Sequence, residues 1–144
     1  MNNLQERIKI LHAGCSSKKG KTIIDSEKDG AWAELITSKR GTEVNLITLG
    51  DIIQSNNIES AILKMDCEGC EYDIIKNSNK VDFKKINYAV IEYHYGYLDL
   101  KKKLESLGFN VKITHPRFIY NFQLKKRMAI GLIFASRDKN FLNY

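Results

Sequence analysis

The stretch Ala61 to Ile75, A-I-L-K-M-D-C-E-G-C-E-Y-D-I-I, decides how this chain is read. Its opening apolar run, interrupted only by Lys64, predicts a strand over Ala61–Met65. Cys70 to Lys76 follows helical spacing and places Ile74 and Ile75 on one face. Between them the chain turns tightly at Gly69, so the unit is strand, turn, helix. Successive strand side chains point to opposite faces, and Lys64, Asp66 and Glu68 therefore project to the same side as the strand ends.

Ile86 to Tyr93 (I-N-Y-A-V-I-E-Y) predicts a second strand, and Glu92 and His94 repeat the alternation at its end. Open α/β sheets bind ligands outside the carboxyl ends of their strands. If the two strands are neighbours, Lys64, Asp66, Glu68, Glu92 and His94 converge on one crevice. Such a group can hold a proton-accepting base and orient a polar substrate. Each residue alone is equally well read as a solvated strand end; their convergence is what predicts a site.

Outward from this centre, short apolar runs alternate with helix-period segments, the pattern of an α/β sheet with covered faces. Strands are predicted over Arg7–Ala13, Lys21–Asp25 and Glu43–Thr48, with Ser26–Gly41 a mixed surface segment. Leu49–Ser55 reads as a short helix closed by Asn56 and Asn57. Leu98–Leu107 is an amphipathic helix that Gly108 stops. Phe109–Thr114 and Ile130–Ser136 predict a late antiparallel hairpin with a long connection holding Pro116 and the basic turn Lys125–Arg127.

The 144 residues, 43% apolar and 28% charged, suffice for one domain and not two. The longest apolar stretch, Ala129–Ala135, is far short of the about 20 residues that span a bilayer, and Met1–Lys9 holds no apolar signal segment. A cytoplasmic protein is expected. Cys15, Cys67 and Cys70 are an odd number without such a signal, so a disulfide framework is not expected. Cys67 and Cys70 have a C-x-x-C spacing that can bind zinc or do thiol chemistry. A tetrahedral site needs two further soft ligands, and so no metal is assigned; the pair reads as small packing residues around a turn.

The net charge of +6 lies in the last third, where residues 97 to 144 hold 10 basic and 3 acidic side chains. There Arg117 to Arg127 (R-F-I-Y-N-F-Q-L-K-K-R) interleaves aromatic and basic residues, a pattern that can stack bases and contact phosphate. The aromatics recur every second residue, which a half-buried strand explains as well. His12 and His115 are isolated and read as structural or surface residues. No two of the nine glycines are two apart, so neither a dinucleotide fingerprint nor a P-loop is present.

The central stretch resembles the FkbM-type family of S-adenosylmethionine-dependent methyltransferases. That family's signature is an apolar strand running into Lys-x-Asp-x-Glu-Gly-x-Glu, here Lys64, Asp66, Glu68, Gly69 and Glu71. Val44–Ile53 (V-N-L-I-T-L-G-D-I-I) is similar to the segment preceding it, Ile91–Tyr95 (I-E-Y-H-Y) to the Glu-bearing strand after it, and Leu104–Val111 to the usual helix end.

The resemblance implies a Rossmann-like methyltransferase sheet, partial in this chain, with parallel strands and a C-terminal antiparallel hairpin. By order, Arg7–Ala13 takes the place of the family's third strand, so residues 1–144 are expected to be one domain lacking the first two strands and the Gly-rich cofactor loop. It further implies S-adenosylmethionine as cofactor, with Asp66 near the methyl centre and the one cofactor-binding residue expected here. Glu92 and His94 would face the acceptor, His94 as base, while Lys64 and Glu68 orient the site. The implied reaction is O-methyl transfer to a small hydroxylated or sugar-like acceptor, with cofactor binding by this chain alone weak or absent. On this reading a complementing N-terminal polypeptide would complete the site. Other readings are a non-catalytic remnant kept as a binding or assembly module, self-associating through its sheet edge, and, less favoured, a basic nucleic-acid-binding domain.

Overall fold

A computed structural model of the chain describes residues 7–24, 41–122 and 125–140. Among the described residues there are eight strands and four helices: β1 (Gly14–Cys15), β2 (Gly20–Ile24), β3 (Thr42–Ile47), α1 (Leu49–Ser55), β4 (Ala61–Met65), α2 (Glu71–Asn77), α3 (Lys80–Phe83), β5 (Ile86–Tyr93), α4 (Leu98–Ser106), β6 (Asn110–Ile113), β7 (Arg117–Asn121) and β8 (Lys126–Ser136).

Local chemistry accounts for several of these boundaries. Thr48 starts α1 with a capping box: its Oγ1 accepts from the Asp51 N–H at 3.1 Å, and Asp51 Oδ2 accepts from the Thr48 N–H at 3.0 Å. Gly108, at φ +90°, takes the left-handed conformation that ends the chain's run beyond α4. Arg137 ties distant ends together, its guanidinium donating to the carbonyls of Ile86, Phe83 and Leu107 and lying 4.3 Å from the Phe109 ring centre.

The main sheet runs β4-β5-β8-β6, with β7 also paired to β8; a small sheet runs β1-β3-β2. β4 and β5 are parallel, Met65 opposite Ile91, whereas β8 is antiparallel to β5, β6 and β7. Along β5, Ala89, Ile91 and Tyr93 are buried at period two against Ile74 and Ile75 of α2 and Leu100 and Leu104 of α4, which form the core with Ile133 and Ala135. The fold is thus α/β with mixed sheets, consistent with a methyltransferase-like architecture.

Four expectations need correction. Arg7–Ala13 forms no strand, and pairing starts only at Gly14, which lies opposite Leu46. Ile8 and Ile10 alternate correctly but are exposed and have no partner strand among the described residues, and without a ladder a period-two pattern is not a strand. The long connection before β8 holds β7, which extends the hairpin, so its alternating aromatics do belong to a strand, but Phe118, Tyr120 and Phe122 are exposed and the strand is not half-buried. The helix α3 was not foreseen. The sheet is also not covered throughout, because Ile62 on β4 and Tyr88 on β5 are exposed. Most of Ser26–Gly41 lies outside the described residues.

Candidate active site

Parallel pairing of β4 with β5 sets their C-terminal ends side by side, and this brings the two predicted groups together. His94 Nε2 lies 3.1 Å from Glu68 Oε2, and His94 Nδ1 lies 3.1 Å from Glu71 Oε1. The imidazole is therefore held between two carboxylates, with its side chain only 3% exposed. Glu92 is half-buried on the same side of β5, near enough for its charge to act on both Glu68 and His94. Asp66 is one-third exposed and has Lys64 Nζ 3.6 Å away; the Lys64 side chain, 75% exposed, lies at the edge of the group.

The turn after β4 positions these side chains. Glu68 has φ +55° and Gly69 φ +116°, two consecutive left-handed residues that swing the chain from strand to helix. For Glu68 this conformation costs about 1–2 kcal/mol. A Cβ at residue 69 would also lie 3.0 Å from the edge of the Tyr95 ring and crowd it, which adds to the conformational reason for glycine there. Glu71, fully buried, holds the turn in this shape by accepting from the Cys67 N–H at 3.1 Å and the Gly69 N–H at 2.8 Å.

A disulfide joins Cys67 to Cys70 across the same turn, which corrects the expectation of unpaired cysteines. Both residues also pack against the core, so the packing reading and the bond coexist. Their spacing permits the bond because the turn returns the chain on itself, leaving the two Cα atoms 5.5 Å apart.

Burial and charge shift the ionisable groups in opposite directions. Burial raises the Glu68 carboxyl above its usual range, and the carboxylates of Asp66, Glu71 and Glu92 add to this against the opposing pull of His94. Burial would lower the His94 imidazole, but Glu71, then Glu68 and Glu92, outweigh it and raise the group. Burial would likewise raise Glu71, yet His94 and the Cys67 N–H hold it below the ordinary value.

Sequence reasoning missed the role of Glu71. The signal was available: Glu71 stands three and four residues before the core residues Ile74 and Ile75, so helical spacing puts a carboxylate on the buried face. Tyr72 was missed too. Its hydroxyl donates to the Gly96 carbonyl at 2.6 Å and accepts from the Tyr95 N–H at 2.8 Å, and burial pushes its pKa to about 12. Tyr72, Tyr95, Tyr97, Pro116 and Phe118 line a cleft of about 390 Å³ beside the turn. His12 and His115 are exposed and take no part.

A carboxylate such as Asp66 suits the cationic sulfonium of a methyl donor, but among the described residues no closely spaced glycines accompany it to cradle the rest of such a molecule. Among the described residues no helix is long and apolar enough to cross a membrane. No curated protein and no solved structure matches the chain significantly. The methyltransferase FkbM domain matches residues 1–111, a span that includes β4, the turn, and both Glu92 and His94. With the match covering well over half of its length, the chain belongs to the FkbM methyltransferase domain family.

Proposed function

We propose that this domain serves O-methyl transfer from S-adenosylmethionine to a hydroxyl of a small hydroxylated or sugar-like acceptor. The observation that carries this reading is His94, buried between Glu68 and Glu71 at the paired ends of β4 and β5 in a chain of this family. Displacement at an activated methyl carbon asks the protein mainly for alignment and for a base. Glu68, one-third exposed, stands between His94 and solvent and receives the hydroxyl's hydrogen bond. The proton leaves toward Glu68, and a small turn of the imidazole that brings Nε2 into line lets His94 take it, while Glu71 and Glu92 stabilise the imidazolium formed. Asp66 faces the donor side, and Lys64 offsets its charge from the rim.

When bound, S-adenosylmethionine supplies the methyl group. With no closely spaced glycines in the sequence, its grip by these 144 residues alone is weak on this reading. Calorimetry with the chain tests that point, and low-micromolar affinity would show it wrong. Transfer of a labelled methyl group to hydroxylated acceptors tests the chemistry. His94→Gln and Glu68→Gln should each lower the rate by about 10²–10⁴-fold, the usual worth of a positioned acid or base. Full activity in both variants would overturn the assignment of this pair.

A further inference from the structure

Asp66, Glu68 and His94 each offer one donor atom, and the three atoms lie within 4.8 Å of one another. Ligands held about 2.1 Å from one ion lie roughly 3.0–4.2 Å apart, so a side-chain adjustment of less than about 2 Å brings all three onto one ion. Carboxylates close together do not by themselves make a site, but the histidine adds independent observations. Glu68 Oε2 is a buried oxygen with no hydrogen bond, so its 3.1 Å approach to His94 Nε2 is not aligned as one. His94, its side chain only 3% exposed, turns Nε2 into the cluster and Nδ1 toward Glu71, and Nδ1 too is buried without a hydrogen bond. Buried polar atoms are nearly always satisfied, and the orphaned Glu68 Oε2 facing Nε2 needs an explanation. A second proton on the imidazole does not provide it, because the N–H would not point along the line to Glu68 Oε2.

The surroundings favour positive charge. Asp66, Glu68, Glu71 and Glu92 gather around one imidazole, and the neighbouring Lys64 is mostly in solvent. On the far side of the ring Nδ1 lies 3.1 Å from the buried Glu71 carboxylate, and a small turn of the ring would give the carboxylate–histidine hydrogen bond that orients a metal-ligating imidazole.

We propose that Asp66, Glu68 and His94 Nε2 form a binding site for one divalent cation, with its remaining positions open to water or to an oxygen of a substrate. Two carboxylates and one imidazole suit Mn²⁺ better than Mg²⁺, with Zn²⁺ a competitor. Cation binding itself does not depend on methyl transfer. One consequence does rest on the reading above: the ion would take over from His94 the task of making an acceptor hydroxyl more acidic.

The test uses the full chain, stripped with a chelator and titrated with Mn²⁺ alone, with free Mn²⁺ followed by electron paramagnetic resonance. The expected result is one saturable site per chain with nitrogen coupling from an imidazole in the pulsed spectrum. Asp66→Asn and Glu68→Gln should each weaken binding at least tenfold, and the exposed control Asp138→Asn should not. His94→Gln should abolish the nitrogen coupling; should it fail to fold, the two carboxylate variants and the wild-type coupling still decide. No saturable binding, no nitrogen coupling in the wild type, or a loss of less than tenfold in both carboxylate variants would overturn the site. Labelled-methyl transfer measured separately, with and without chelator, keeps failure of the cation site distinct from failure of the methyltransferase reading.

Discussion

Replacing Glu71 by glutamine tests whether a buried carboxylate builds the site. In the wild type one oxygen of Glu71 accepts from the Cys67 N–H at 3.1 Å and faces His94, and the other accepts from the Gly69 N–H at 2.8 Å. A glutamine of the same shape keeps one acceptor and turns an NH₂ group toward the other amide. One charge-assisted hydrogen bond, worth about 1.5–3 kcal/mol, is lost, and a buried N–H is left facing a donor. Loss of the attraction to His94 adds to this, so the expected cost is about 2–4 kcal/mol, a large share of the roughly 5–15 kcal/mol that holds a small domain folded. Urea denaturation should show a lower midpoint with unchanged slope, and the melting temperature should fall by about 10 °C. Glu105→Gln is the control: that side chain is exposed and, among the described residues, pairs with Lys101 at the surface, so its cost should stay within about 0.5 kcal/mol. A Glu71→Gln variant as stable as this control would refute the reasoning, because the turn would then be held by something else.

Three further perturbations bear on the framework. Asp51 is held at about 2 by Lys19 and by Thr48, below its ordinary 3.8, so its contribution is present above about pH 4 and is lost as pH falls through about 2. Acid denaturation followed by circular dichroism should have a shallower acid limb in Asp51→Asn, and an unchanged limb would contradict the capping box. Reduction of Cys67–Cys70 opens a four-residue loop and should cost about 2 kcal/mol. Alkylation without reductant should modify Cys15 and spare the pair, whereas labelling of all three cysteines would show that the bond is not formed. Arg137→Lys keeps the charge but loses the fork that reaches three carbonyls, and should cost about 2–3 kcal/mol in thermal denaturation; a cost below about 0.5 kcal/mol would show that the fork does not join these ends.

How much was legible in advance differs from element to element. The bounds expected for α1, β4 and β5 coincide with those observed, because each depends on neighbours within a few residues. These are the Thr48 cap, the apolar run before Asp66, and the alternation that buries Ala89, Ile91 and Tyr93. The same kind of signal misled at Arg7–Ala13, since alternation states which side a residue would face in a ladder and nothing about whether a partner exists. At β7 the alternating aromatics were visible, but only pairing with Lys126–Ile130 makes a strand of them.

The sequence by itself determined the family and the strand-turn-helix unit and pointed to five candidate side chains at the strand ends, because motif spacing and alternation are local properties of the chain. Only the tertiary structure decided that His94 sits between Glu68 and Glu71, that Lys64 remains at the rim, and that Cys67 bonds to Cys70. Those contacts depend on parallel pairing of β4 with β5 and on a left-handed turn at Glu68 and Gly69. Burial of Ile74, Ile75, Leu100 and Leu104 against the sheet holds both in place, an energy that belongs to the assembled core and to no single segment of it.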